Sequence, residues 1–321
     1  MWKYCGKEQI EEFLLSLNLI NQKWANEKNI QCLYSLSNNT KKHYKSFKIK
    51  KVNGTTRNIL EPDYLLKQVQ TNLLLNVLNG IPISSYATPY YKGADIINNA
   101  IPHLGKKKIL KLDIKNFFES IDFMAVYKNV FKTIYYPPAV KTLLTNLCCY
   151  GDHLPQGTPT SAAISNIVMK PFDEHIGNWC KEKQIVYTRY CDDMTFSGDF
   201  DVDKVKNKVK SFLETIGFQL NYKKTKILSE NKRQIVTGIV VNEKIQTSKL
   251  YRKKIRQDIY YIKKFGITFH LKYRNINMED IKYLYSLLGK INFVLHINSD
   301  DKEFIEAKRF VINEITKYNN N

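Results

Sequence analysis

Two adjacent aspartates, Asp192 and Asp193, follow Tyr190-Cys191 between two β-rich runs, and a third acid, Asp113, lies upstream in Ile109-Leu110-Lys111-Leu112-Asp113-Ile114. Neighbouring carboxylates repel one another unless cations compensate them, so the pair is either a metal site or a solvated turn. Magnesium suits hard oxygen donors of this kind. Two such ions, roughly 3.5–4 Å apart, clamp the attacking and leaving oxygens of an in-line displacement at a phosphate, which is the chemistry of nucleotidyl transfer.

The elements that must position these acids are legible as patterns. From residue 107 to 114 the chain alternates, so Leu110, Leu112 and Ile114 share one strand face while Lys111 and Asp113 share the other. Residues 185–190 and 194–197 read as short strands on either side of the acid pair. Leu154-Pro155-Gln156-Gly157-Thr158-Pro159 interrupts the pattern as a loop, ahead of a long helix beginning near Thr160. Helices are predicted over 124–133, 138–149 and 202–216, the last closed by Gly217. Upstream, Ile10, Phe13, Leu14 and Leu17 recur at helical spacing, 25–36 gives a second helix, and Leu66, Val69, Leu73 and Val77 mark an amphipathic helix over 63–78. Asn53-Gly54 joins the strand-like runs 44–49 and 56–60 as a hairpin. Residues 235–241 read as one short apolar strand. From Ser248 the chain looks like a separate helical unit, with Arg252, Lys253 and Arg256 in its first helix and Leu284, Leu287, Leu288 and Ile291 forming a later packing face.

Composition bounds the class. The 321 residues, 43% hydrophobic, are enough to bury a substantial core in about two domains. Fifty lysines and arginines against 30 acids give a formal charge of +20, which points to a polyanionic partner. The six cysteines form no Cys-x-x-Cys pair and none stands at zinc-ligand spacing from a histidine, so a reduced, cytoplasmic protein is expected. No run approaches the roughly 18 apolar residues of a membrane span, and the first residues lack the pattern of a secretion signal, so neither a membrane nor export is expected.

Three blocks in order carry a resemblance. Leu112-Asp113-Ile114-Lys115-Asn116-Phe117-Phe118, then Leu154-Pro155-Gln156-Gly157-Thr158-Pro159-Thr160-Ser161, then Tyr190-Cys191-Asp192-Asp193 are similar to the successive blocks of reverse transcriptases, whose third is a Tyr-x-Asp-Asp box. Cys191 departs from the residues usual at the variable position and leaves both acids intact. Gly217 to Thr225 resembles the family's next block. Asn99-Ala100-Ile101-Pro102-His103 and Val236-Thr237-Gly238 resemble two signatures of the retron reverse transcriptases.

The resemblance implies a right-hand polymerase fold, α+β, with fingers and part of the palm over 1–105, palm over 106–245, a small helical thumb over 246–321, and no ribonuclease H domain. It implies that Asp113, Ile114, Asp192 and Asp193 hold two magnesium ions, with the three acids catalytic and Asp193 peripheral. Deoxynucleoside triphosphates would meet Arg57, Phe117, Phe118, Gln156, Gly157 and Lys224, with Phe118 as a gate against a ribose 2′-hydroxyl and Lys224 near the leaving pyrophosphate. RNA would meet Asn99, His103, Val236, Thr237, Gly238, Arg252, Lys253 and Arg256. The implied reaction copies a cognate structured noncoding RNA of msr-msd type, priming from an internal guanosine 2′-hydroxyl to leave a branched RNA–DNA hybrid. A retron effector protein, a host ribonuclease H acting in trans and a role in anti-phage defence belong to the same expectation. The alternatives are another prokaryotic reverse transcriptase (group II intron-like or abortive-infection type), a catalytically silent RNA-binding scaffold, and an RNA-dependent RNA polymerase.

Overall fold

The computed structural model describes residues 5–50, 54 and 56–319. The chain divides into two compact units, one formed up to Asp95 together with Leu110–Ile227, the other by Ile96–Ile109 together with the chain from Leu228 onward.

In the first unit, helices α1 (Lys7–Ser16) and α2 (Asn26–Asn38) bury Leu14, Ile30, Leu33 and Leu36, the apolar stripe their spacing predicts. A hairpin follows, β1 (Tyr44–Lys50) and β2 (Thr56–Pro62), paired antiparallel with Lys50 opposite Thr56. Asn53 of its predicted turn lies outside the described residues. Helix α3 (Tyr64–Asn76) is capped by Asp63, whose carboxylate accepts from the Leu66 N–H at 3.0 Å.

Strand β3 (Lys108–Asp113) lies inside a four-stranded sheet of order β4-β5-β3-β6, with β4 Val186–Tyr190, β5 Asp193–Gly198 and β6 Lys226–Ser229. Helices α5 (Phe123–Asn129), α6 (Pro138–Cys148), α7 (Ser161–Glu182) and α8 (Val202–Thr215) complete the unit, α4 (Ile96–Ala100) belonging to the other. The fifth helix is shorter than its sequence pattern suggests, ending at Val130, which packs into the core. Helix α7 is buried along much of its length through small residues, among them Ala163, Ser165 and Gly177. A Cβ at Gly177 would fall 2.2 Å from the Tyr86 ring, so only glycine fits that crossing.

The second unit holds α4 and, packed together through Ile255, Leu284, Leu287, Ile291, Phe304 and Val311, α9 (Lys249–Phe265), α10 (Ile267–Tyr273), α11 (Asp280–Ile297) and α12 (Lys302–Asn319). Residues 235–241 are not one strand. They fold as a hairpin, β7 (Ile235–Val236) and β8 (Ile239–Val240), turning at Thr237 (φ 45°) and Gly238 (φ 85°). Positive φ at both central residues is the type I′ requirement, and both arms are apolar because both enter one small core with Ala100 and Ile109. Among the described residues no helix is long and apolar enough to cross a membrane.

Candidate active site

Strand β3 ends on Asp113, and β4 and β5 are joined by the two-residue turn Cys191-Asp192, with Tyr190 paired to Asp193. Cys191 has φ 60°. A two-residue hairpin that needs positive φ at its first central position is of the II′ kind, where most side chains are strained. The turn is locked onto the upstream acid's segment, since the Ile114 N–H donates to the Asp192 carbonyl at 3.0 Å. Asp113, Asp192 and Asp193 thereby line one cavity of about 500 Å³, together with Ile114, Arg57, Phe117, Phe118, Gln156, Asn221 and Lys224.

The carboxylates differ in their surroundings. Asp113 is 4% exposed; its Oδ1 accepts from Asn221 Nδ2 at 3.1 Å and its Oδ2 from Lys224 Nζ at 2.6 Å. Burial, followed by the negative charges of Asp113 and Asp193, pushes the Asp192 carboxyl above its ordinary range. Burial works against the Lys224 ammonium, but its hydrogen bond to Asp113 and the charge of all three acids outweigh this and raise its pKa. Asp193 is the most open of the three and faces Lys111 Nζ at 4.0 Å. Burial, ahead of the charge of Asp192, lifts the Cys191 thiol to about 11, so it packs as a neutral group.

Among the described residues no group of three or more His, Cys, Asp or Glu side chains is arranged to hold a metal. Magnesium is ordinarily bound by one or two carboxylates completed by waters and substrate phosphates rather than by an all-protein cage. Two acids of repelling charge, one already drawn to an ammonium, fit that donor set.

Around the acids, Phe117 is 3% exposed and packs edge-on to Phe118 at 5.3 Å between ring centres, and Phe118 is the more accessible of the two rings that line the cavity. Arg57 lines the cavity from the exposed start of β2. The Gln156 carbonyl accepts from the Leu60 N–H at 2.9 Å, which ties the 154–160 loop to that strand. Gly157 has φ 110°, and a Cβ there would meet Ile59 Cγ2 at 2.6 Å and the Leu60 carbonyl oxygen at 3.0 Å. The close approach that demands glycine is therefore to protein.

Sequence reasoning missed the support beneath the turn. Arg189 is fully buried, donating to Asp173 through Nε (2.8 Å) and Nη2 (2.6 Å), to Asn166 Oδ1 at 3.2 Å, and through Nη1 to the Cys191 carbonyl at 2.9 Å. The Tyr187 hydroxyl also donates to Asp173, at 2.8 Å. The available signal was an arginine inside an otherwise buried strand, a placement arginine takes only when paired.

Several residues expected to meet RNA lie elsewhere. Asn99, His103 and Val236 are at most 1% exposed, and the Thr237 hydroxyl donates to the Ile96 carbonyl at 3.2 Å. The two short signatures thus meet as a joint of helix α4 with the β7–β8 hairpin, from which Gly238 is exposed. Arg252 pairs with Asp301 at 2.6 Å and is largely covered, whereas Arg256 grips Glu303 with Nη2 at 2.6 Å and stays half-exposed at the surface. Lys253 is exposed.

Residues 49–284 match the family model described as reverse transcriptase (RNA-dependent DNA polymerase). The chain is 34% identical to the Retron Ec86 reverse transcriptase of Escherichia coli over 64% of its own length and 65% of that protein. It is 31% identical to the Retron Mx65 reverse transcriptase of Myxococcus xanthus over 84% and 64%, and 32% identical to the Retron Ec83 reverse transcriptase of Escherichia coli over 86% and 90%. The matches to the first two span just under two thirds of those proteins. With its acids at the ends of neighbouring strands in one four-stranded sheet and its helices around them, the chain belongs to the reverse transcriptases, has their right-hand polymerase fold, and within that family is of the retron type.

Proposed function

We propose that the protein is an RNA-directed DNA polymerase that copies its own structured noncoding RNA, of msr-msd type, beginning from a guanosine 2′-hydroxyl and leaving a branched RNA–DNA hybrid. The observation that carries this reading is the convergence of Asp113, Asp192 and Asp193 in one cavity with Arg57, Phe118 and Lys224. Asp113 and Asp192 would hold magnesium, with the Ile114 carbonyl and Asp193 at its edge. When bound, the metal supplies Lewis-acid stabilisation of the attacking and leaving oxygens.

The chain's own groups do the rest. Primer hydroxyl attacks the α-phosphate of a deoxynucleoside triphosphate, and pyrophosphate leaves. Arg57 would take the triphosphate, since a guanidinium fork matches phosphate oxygens. Lys224, 56% exposed at its side chain and resting on Asp113, has reach and charge for the leaving pyrophosphate once the acids gain another cation. Phe118 would lie beneath the sugar, where a 2′-hydroxyl would clash. In this reading the chain up to 105 forms the fingers and part of the palm, 106–245 the palm, and 246–321 the thumb. A cytoplasmic setting is supported by six free cysteines. A separate ribonuclease H, an effector protein and a defensive role complete the proposal.

Purified protein supplied with magnesium, deoxynucleotides and a primed RNA template should extend DNA, and Asp192→Asn should abolish extension while retaining RNA binding. Sequencing nucleic acid that copurifies with the wild type should recover DNA joined 2′–5′ to RNA. Extension by Asp192→Asn near the wild-type rate would overturn the catalytic assignment, and linear DNA without a branch would overturn the priming assignment.

A further inference from the structure

Helix α9 buries Ile255, Ile259 and Ile262 in its unit and carries exposed aromatic rings beside them. Tyr260 and Tyr261 are 55% and 36% exposed, Phe265 46%, and past the break at Gly266 (φ 79°) the row continues in α10 with Phe269 at 54% and Tyr273 at 71%. Positions 261, 265, 269 and 273 recur every fourth residue, so their rings follow one another. Ring centres are 6.2 Å apart from Tyr261 to Phe265, 5.4 Å from Phe265 to Phe269 and 6.3 Å from Phe269 to Tyr273, the first and last pairs being nearly parallel. The row is seated from below. Tyr261 lies parallel over buried His270, which is held by Asp258 at 3.4 Å and the Tyr283 hydroxyl at 3.3 Å.

Single exposed aromatics are ordinary, but a contiguous row marks a surface that something covers. Charge identifies the occupant. From Lys249 to Arg274 the chain carries nine lysines and arginines and one acid, the buried Asp258. Lys264 Nζ stands 5.2 Å from the Phe265 ring centre and 5.8 Å from that of Tyr260, so cations interleave with rings. A second copy of this face would be repelled by the same cations, and an apolar peptide gains nothing from them. Unpaired nucleic acid uses both, its bases stacking on rings and its phosphates meeting lysines, whereas a closed duplex offers phosphates alone.

We propose that Tyr261, Phe265, Phe269 and Tyr273 form a stacking platform for unpaired bases of an RNA strand, with Lys264 and its basic neighbours meeting the phosphates. This deepens the reading above and rests on it only for the strand being RNA.

The test uses the full chain and two fluorescent probes, an RNA hairpin with a long unpaired loop and a blunt RNA duplex of the same stem. Phe265→Ala with Phe269→Ala should weaken loop binding at least about tenfold, on the usual strength of base–aromatic stacking, while duplex binding changes by less than about twofold. Phe265→Trp with Phe269→Trp should bind the loop as the wild type does and show indole fluorescence quenched by the loop probe. That pair keeps the question open to refutation should the alanine pair fold poorly. Equal loss on both probes, or no loss on the loop, overturns the proposal. So does a wild-type oligomer that the alanine pair dissolves while loop binding persists, since the row would then be a protein interface. Whether the wild type extends DNA on RNA decides the polymerase reading separately from this difference in binding.

Discussion

Arg189→Met removes one half of a fully buried ion pair. Both partners have side chains with no solvent exposure, and the guanidinium makes two bonds to Asp173 of 2.8 and 2.6 Å. Left behind, the Asp173 carboxylate keeps the Tyr187 hydroxyl and loses its only bidentate partner among the described residues. Removing one partner of such a pair destabilises by about 3–5 kcal/mol, about a fifth or more of the stability of a typical domain. At roughly 2–4 °C per kcal/mol for a unit of this size, the midpoint should fall by about 6–20 °C. Arg189→Met with Asp173→Leu should recover most of that loss, because an apolar pair of similar volume avoids the desolvation penalty of two charges. Activity should not recover in step. Arg189 also holds the Cys191 carbonyl at 2.9 Å, inside the turn that presents Asp192, and neither methionine nor leucine can donate there. The assay is thermal and urea denaturation of the three proteins, paired with DNA synthesis as a function of magnesium concentration well below each midpoint. The double variant should need more magnesium for half-maximal synthesis than the wild type. A single variant destabilised by less than about 1 kcal/mol would refute the buried-pair reasoning. A double variant with wild-type magnesium dependence would show that Arg189 positions nothing.

Two further outcomes follow from single positions. Phe118→Ala opens the floor of the cavity and should reduce discrimination against ribonucleotides by roughly 10–200-fold, read as the ratio of dTTP to UTP incorporation in single-nucleotide assays; an unchanged ratio rejects the gate. Gly238 has φ 85° with nothing within 4 Å of a Cβ position, so substitution there is limited by backbone conformation alone. Gly238→Asn should stay within about 1 kcal/mol of the wild type in chemical denaturation and Gly238→Val should lose more, since asparagine tolerates left-handed backbone and β-branched residues do not; equal losses would refute the I′ turn.

What sequence disclosed about the site was local in origin. Asp113 sits in an alternating strand, and Asp192-Asp193 sit between two strands whose residue types announce themselves within a few positions. Helices with an apolar stripe, such as α8 with Val205, Val209 and Leu213 all buried, needed nothing beyond their own spacing. The helix of 63–78 was legible for the same reason, and the structure trims it to Tyr64–Asn76 with Asp63 as its cap.

What escaped was set by contacts across the chain. Val186-Tyr187-Thr188-Arg189-Tyr190 looks half polar, and only the presence of Asp173 and Asn166 on α7 makes a buried arginine affordable there. Residues 235–241 are apolar on both arms of a turn, and an unbroken apolar run does not distinguish one strand from a hairpin whose two arms enter the same core. Arg252 and Arg256 read as free cations until α12 brings Asp301 and Glu303 to them. The same correction reassigns the basic surface of the second unit. With those two arginines paired, other exposed cations on the helices that carry the rings include Lys263, Lys264 and Lys272, of which Lys264 stands against the Phe265 ring. Net charge alone implied a polyanion; the alternation of cation and ring along α9 and α10 specifies a polyanion with accessible bases, a distinction that exists only once the fold has decided which arginines are spent on the protein itself.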